Sequence, residues 1–295
     1  MSTRNATLSG WLLCLPAIAI FGCFFLGPAF VGAYVSMHVW NGSSPTLAYA
    51  GLRNYTDLVG DGRFWNALWV TLAAFLAMAL IKLPLALAIA VGLAKVGRMA
   101  RFYRAALFLP YMLSTTTVAI IWIFLFDPYQ GLVNQLLQDI GLESLQQGWL
   151  GQSSTALPII VAGGVWWTFG LYVVLFTAAL ATIPRDYYDA ARLETNSSFK
   201  ILLHVTLPLL REQIFSSAVM LIGGVLGYMT GFILLLTGGG PAGHTETLGI
   251  VSHSLAFRAL DFGHASAVSI LVLLLVFSLI IVPTVRIART RVEFR

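Results

Sequence analysis

The 295-residue sequence predicts an all-α membrane protein with six spanning helices and both termini in the cytoplasm. Three observations predict it. Hydrophobic residues make up 58% of the chain and charged residues only 10%, whereas soluble domains carry about 25% charge. Six apolar stretches reach the roughly 20 residues that a helix needs to cross the hydrocarbon layer. The loops between them alternate between many and few Lys and Arg, the pattern that sets orientation in a membrane. Length alone would suit one large domain or two small soluble ones; composition overrules that reading. The apolar runs lack the two-residue alternation of barrel strands, so helices remain as the spanning elements.

The spans read in order as Trp11–Val39, Asn66–Leu93, Ala105–Phe126, Leu157–Ala181, Phe215–Leu236 and Ala265–Val285. The first could pass for a signal peptide, since Arg4 precedes an apolar run. It is too long for one, and no small-residue cleavage site follows it cleanly. Ile20 to Cys23 faintly resembles a lipoprotein cleavage site, which Phe21 fits poorly. The first stretch therefore reads as an uncleaved span.

Loop charge fixes the sides. Arg4 precedes the first span; Lys95, Arg98, Arg101 and Arg104 follow the second. Arg185, Arg192, Lys200 and Arg211 follow the fourth, and Arg286, Arg289, Arg291 and Arg295 form the tail. The opposite side carries Arg53, Arg63 and Arg258, and the loop after the third span is purely acidic, with Asp127, Asp139 and Glu143. The net charge of +5 is thus a topology signal, and no nucleic-acid partner is expected.

Several chemistries are excluded. Cys14 and Cys23 both lie in the first span, which leaves no disulfide framework. The five histidines show no ligand spacing on one helix face, so no metal site is expected. A phosphate-binding P-loop needs Gly-Lys beside Ser or Thr. The lysines here, Lys82, Lys95 and Lys200, follow Ile, Ala and Phe. The chain has no ATP chemistry of its own.

Within the spans, Lys82 is the lone charge, close to Pro84. An intramembrane charge costs roughly 2.5–3.5 kcal/mol on insertion scales and usually faces a cavity or a partner. Snorkelling to the interface is the alternative. Span 4 holds Trp166, Trp167, Thr168, Phe169 and Tyr172, and span 5 holds Tyr228, Met229 and Thr230. Aromatic faces with nearby hydroxyls suit stacking on sugar rings in a mostly apolar pocket. The same residues would also serve as packing against lipid or neighbouring helices.

Between spans 4 and 5, Pro184 and Pro208 bracket a distinctive segment. Asp186 to Glu194 reads as a short helix, and Asn196-Ser197-Ser198 as a break able to cap the next one. Phe199, Leu202, Leu203 and Thr206 then recur at helical spacing. A short helix with Ala190 and Ala191 among charges can press closely into a partner's groove. An interfacial loop anchored by Tyr187 and Tyr188 is the other reading.

The whole segment resembles the "EAA" loop of bacterial ABC importer permeases. The matching residues are Asp189-Ala190-Ala191, Glu194-Thr195-Asn196 and Val205-Thr206-Leu207-Pro208. Thr195 stands at the family's glycine and Asn196 at its alanine, and the two acids are exchanged. Threonine adopts positive φ only at a cost, so the turn here is expected to be ordinary. Leu236-Thr237-Gly238-Gly239-Gly240-Pro241 looks like the T-x-G-G-P segment of carbohydrate-uptake permeases. Asp261 to Ala267, Phe108-Leu109-Pro110 and Trp122 to Phe126 also resemble family segments, in family order.

The resemblance covers nearly the whole chain and implies a type I ABC importer permease, one transmembrane domain over residues 1–295 with a coupling loop at 183–210. It implies a multi-pass protein of the bacterial inner membrane that moves a carbohydrate or related polyol by alternating access. The implied partners are a second homologous permease, an ATPase dimer that binds ATP and Mg, and an external substrate-binding protein, within membrane lipid. No cofactor is expected on this chain. Substrate contacts are implied at Trp167, Thr168, Leu171, Val225, Leu226 and Met229, to which Tyr172, Tyr228 and Lys82 are added on chemistry. Coupling to the ATPase is implied at Tyr188, Asp189, Ala190, Ala191, Glu194, Thr195 and Asn196. A secondary transporter also uses broken helices and buried charges, but the spans hold no acid for ion coupling. An intramembrane enzyme would need a Ser/His/Asp or metal constellation there, and none is present.

Overall fold

The computed structural model describes the backbone of residues 13–292 and the side chains through residue 281. Arg4, Trp11 and Arg295 lie outside the described residues, as do the side chains of Arg286, Arg289 and Arg291. Four continuous helices are long and apolar enough to span: α1 (Leu13–Val35), α3 (Gly62–Leu93), α7 (Ala156–Ala181) and α13 (Phe262–Val292). Two bent pairs would bring the number to six if each counts as one span. These are α4 (Gly97–Met112) with α5 (Thr115–Leu125), bent by 92°, and α9 (Ser198–Leu209) with α10 (Arg211–Leu226), bent by 69°.

The predicted third and fifth spans are not continuous: the 92° bend breaks the third, and Gly227 breaks the fifth. Pro110 sits in the last, 3-10 turn of α4, Leu113 is extended, and the Ser114 side chain accepts the N–H of Thr117 to cap a new helix. Alone, the 11 residues of α5 cover about 17 Å, too little for a core of about 30 Å. The predicted Phe215–Leu236 span begins instead at Arg211 and breaks at Gly227, whose ψ of -93° leaves the helical region. After it, α11 runs Tyr228–Leu236.

Two π turns share one cause. At Gly22–Leu26 the N–H of Gly27 reaches back to Gly22, and at Leu202–Thr206 that of Leu207 reaches back to Leu202. A proline, Pro28 or Pro208, follows each. Proline donates no hydrogen bond and crowds the carbonyl four residues earlier. Widening the turn before it relieves both defects.

The chain packs as two compact units. In the first, which gathers the described part of residues 1–65 with Val251–Val282, α1 stops at Val35, short of the predicted Val39. His38–Val39 (β1) pairs antiparallel with Ala48–Tyr49 (β2). α2 (Arg53–Gly60) supplies buried Asn54, whose amide donates to the carbonyls of Ser36 and His38 at 2.8 and 3.0 Å. Asp261 caps α13 through the His264 N–H.

The second unit runs from Asn66 to Ile250 and adds the described part of residues 283–295. Its core is the packing of α3, α5, α7 and α11, filled by Met78, Trp122, Ile160, Tyr172, Phe176 and Phe232. α6 (Leu132–Asp139) and α8 (Arg185–Glu194) belong to its loops. α12 (Leu248–Phe257) starts there, with the Leu248 N–H donating to buried Thr71.

Candidate functional site

Lys82 is completely buried on α3. Its ammonium donates to Thr168 Oγ1 on α7 at 2.5 Å and stands 5.2 Å from the centre of the Tyr172 ring. Thr168 gives its own hydroxyl proton to the Gly164 carbonyl at 2.8 Å, which leaves its oxygen lone pairs for the lysine. Thr168 and Tyr172 are four residues apart, on one helix face. One side chain therefore reaches both. The lysine ends inside the helix packing, so snorkelling does not describe it. Among the described residues it makes no ion pair with a carboxylate.

Glycines on α7 allow this packing. A Cβ on Gly164 would strike Met78 and Met229, and one on Gly163 would strike Phe232. At Gly170 it would meet the backbone of Leu107 and Phe108, so α4 lies directly on α7. Trp167 fastens the same junction: its indole N–H donates to the carbonyl of Leu113, at the break between α4 and α5, at 3.2 Å. Its ring meets Tyr228 edge-on with centres 5.1 Å apart.

Of the residues expected along the pathway, Trp167, Thr168, Tyr172, Val225 and Met229 are buried, and Leu171, Leu226 and Tyr228 half-buried. Lys82, Thr168, Tyr172, Trp167, Tyr228 and Met229 form one cluster. Leu171 packs at the margin of the core, and Leu226 falls outside that packing. Trp166 turns away, 43% exposed. Tyr111, in the last turn of α4, is a member that the sequence reading missed; it lies within electrostatic reach of both Tyr172 and Tyr228. Its signal was Pro110, which sits beside it in the 3-10 turn that ends α4. The cluster offers a cation, hydroxyls and ring faces in an apolar setting, a chemistry for holding a polar ligand.

The second candidate site is the bracketed loop. α8 starts after Pro184, with Asp186 in its first turn and Arg192 in its last, charges that suit the helix dipole. The Asp189–Arg192 pair at 3.2 Å is about two-thirds exposed on both sides and contributes little. Tyr188, Ala191 and Thr195 are half-buried at spacings of three and four, and the Tyr188 hydroxyl accepts from Thr206 at 3.4 Å. That face lies against α9. Asp189, Ala190, Glu194 and Asn196 point to solvent with Tyr187 and Leu193, the last 90% exposed. Ser197 caps α9 by accepting the Lys200 N–H.

Thr195 has φ -154° and ψ 138°, ordinary extended backbone. Glycine would relieve no strain there and would add freedom to the unfolded chain. Thr195→Gly is expected to lower stability by roughly 0.5–1 kcal/mol; a raised melting temperature for that variant would contradict the extended turn.

Residues 82–292 match the family described as the binding-protein-dependent transport system inner membrane component. The probable ABC transporter permease protein YurN of Bacillus subtilis is 32% identical over 271 residues, which covers 91% of this chain and 92% of the relative. The diacetylchitobiose uptake system permease protein NgcF of Streptomyces coelicolor is 31% identical over 263 residues, with 86% and 74% covered. A solved bacterial ABC transporter that imports the acidic polysaccharide alginate shares the fold, with TM-score 0.79 at 21% identity over 97% of this chain and 96% of the other. The family match runs unbroken across Lys82, both bent helix pairs and the loop between Pro184 and Pro208, and the chain belongs to the binding-protein-dependent transport system inner membrane components.

Proposed function

We propose that the chain is the permease subunit through which an ABC importer moves a carbohydrate or related polyol from an external binding protein to the cytoplasm by alternating access. The observation that carries this reading is the two-helix loop. Its α8 turns Tyr187, Ala190 and Leu193 outward while Tyr188 holds it to α9 and Ala191 is half-buried on the same side as Tyr188. An apolar face offered on a pinned helix suits a groove in a soluble partner.

In this reading residues 183–210 couple the single permease domain to an ATPase dimer, which holds ATP and Mg while this chain binds no cofactor. A second homologous permease completes the pathway, and both termini lie in the cytoplasm. The aromatic and hydroxyl groups around Lys82 support a sugar or polyol as the ligand, as does the uptake of diacetylchitobiose in the name of the Streptomyces relative. α9 leads through the bend at Leu210 into α10 with no intervening loop, so movement of the loop reaches Val225 through consecutive helices.

Vesicles holding the complete complex and the binding protein should take up sugar when ATP is supplied inside. Uptake driven by a proton or sodium gradient without ATP would replace this reading with a secondary transporter. Lys82→Met tests the cluster in the same assay. Replacing a lone intramembrane charge by an apolar side chain of similar length removes a cost of roughly 2.5–3.5 kcal/mol on insertion scales. Uptake should fall about tenfold while the melting temperature holds or rises. Unchanged uptake would remove Lys82 from the pathway.

A further inference from the structure

The outward face of α5 and the turn beyond it form a built cleft. Val118, Ala119 and Trp122 are buried in the core, while Ile120, Ile121 and Phe124 on the other side of the same helix are exposed. After Leu125 the chain turns back toward this exposed face. Asp127 Oδ1 accepts the N–H groups of Tyr129 and Gln130 at 2.9 and 2.7 Å, and the Gly131 N–H donates to the Asp127 carbonyl at 3.1 Å. A Cβ on Gly131 would collide with the backbone of Asp127 and Leu125; glycine lets the turn close.

Buried Asn134 pins the turn from behind. Its amide donates to the carbonyls of Pro128 and Gln147, and its oxygen accepts from the Trp149 indole. The result is an open cleft of about 670 Å³ with Ile121, Phe124 and Leu132 along its floor and Asp127, Tyr129 and Gln130 at its rim.

We propose that this cleft is a lipid site for an amine-bearing phospholipid, with an acyl chain along the α5 face and the primary ammonium at Asp127 Oδ2. Ile120, Ile121 and Phe124 belong to α5, a helix of the membrane region, and their apolar surface fits a chain of methylenes. Tyr129, 90% exposed, follows four residues after the end of α5, and tyrosines are enriched at the lipid headgroups. Asp127 Oδ1 is occupied by backbone donors, and Oδ2 makes no hydrogen bond among the described residues. The N–H of Gln130, then that of Tyr129, holds the carboxyl below the usual carboxylate range, so it is charged at neutral pH.

Charge selects the headgroup. Residues 127–152 contain Asp127, Asp139 and Glu143 and no Lys, Arg or His. An anionic headgroup would meet only like charge, while a primary amine gains a charge-assisted hydrogen bond. A sugar would leave its hydroxyls unpaired over the aliphatic floor.

The test is native mass spectrometry of the delipidated permease complex titrated with phosphatidylethanolamine, phosphatidylcholine or phosphatidylglycerol. Wild type should retain phosphatidylethanolamine, and Asp127→Asn should retain at least about tenfold less. Asparagine can accept the same two backbone N–H groups, so the turn survives the change. Ile121→Trp, which fills the floor without touching the rim, should lose the lipid as well. Equal retention by wild type and Asp127→Asn would overturn the proposal. So would retention of phosphatidylcholine or phosphatidylglycerol at the level of phosphatidylethanolamine, or displacement of bound phosphatidylethanolamine by diacetylchitobiose.

Discussion

Ala190→Trp should leave the chain inserted and folded, yet reduce ATPase association and uptake together by at least about 30-fold, the equivalent of about 2 kcal/mol. Ala190 lies on the exposed face of α8 beside Leu193 and Tyr187, so an indole there collides with nothing in this chain. It would, however, hold a docked partner several ångströms away. Ala191 makes the informative comparison. It is half-buried on the face that carries Tyr188 toward α9, and Ala191→Trp overpacks the loop itself at about 1–3 kcal/mol. That variant should lose coupling and also melt earlier, whereas Ala190→Trp should keep the wild-type melt. Wild-type ATPase co-purification and uptake in Ala190→Trp, at equal expression, would mean that this face is not the docking surface.

Gly170→Ala is expected to destabilise the permease by about 3 kcal/mol or more, near the upper end of single substitutions. The added methyl meets main-chain atoms of Leu107 and Phe108, which cannot rotate aside as a side chain would. It would push α4 off α7 at the level where Trp167 grips the Leu113 carbonyl. Gly223→Ala is the control: nothing lies within 4 Å of its Cβ position, so alanine there should be neutral or stabilising by up to about 1 kcal/mol. Thermal melts of the two variants, followed by size-exclusion fluorescence, should separate clearly. Coinciding melts would contradict the direct α4–α7 contact.

Much of this architecture was legible because bilayers demand long apolar runs. The predicted second and fourth spans, Asn66–Leu93 and Leu157–Ala181, lie wholly within α3 and α7. The loop was legible too, because Pro184, Ser197 and Pro208 punctuate it in ways that local chemistry dictates. The breaks were not. Pro110 and Gly227 lie inside apolar stretches, where hydropathy reads straight through them; only tertiary partners such as Trp167 decide whether the helix bends. Met37 and Val39 extended the first span on paper for the same reason, although the β1–β2 pairing satisfies that backbone.

In the cluster, the cost of burying Lys82 was plain from its position, but its partner was not. Spacing places Thr168 and Tyr172 on one face of α7 without saying that this face meets α3. Nor does spacing decide which of Trp166 and Trp167 turns inward. Gly163, Gly164 and Gly170 carried that information, since close helix approach needs small residues on the meeting face.

In the proposed function this chain couples sugar arriving at one side to ATP hydrolysis at the other. This coupling is tested most directly by the ATPase rate of the complete complex in nanodiscs as sugar-loaded binding protein is added. Hydrolysis should rise several-fold with loaded binding protein, rise little with empty binding protein, and not rise when the complex carries Ala190→Trp. Hydrolysis that is indifferent to the loaded binding protein, or stimulated equally in the Ala190→Trp complex, would contradict the coupling.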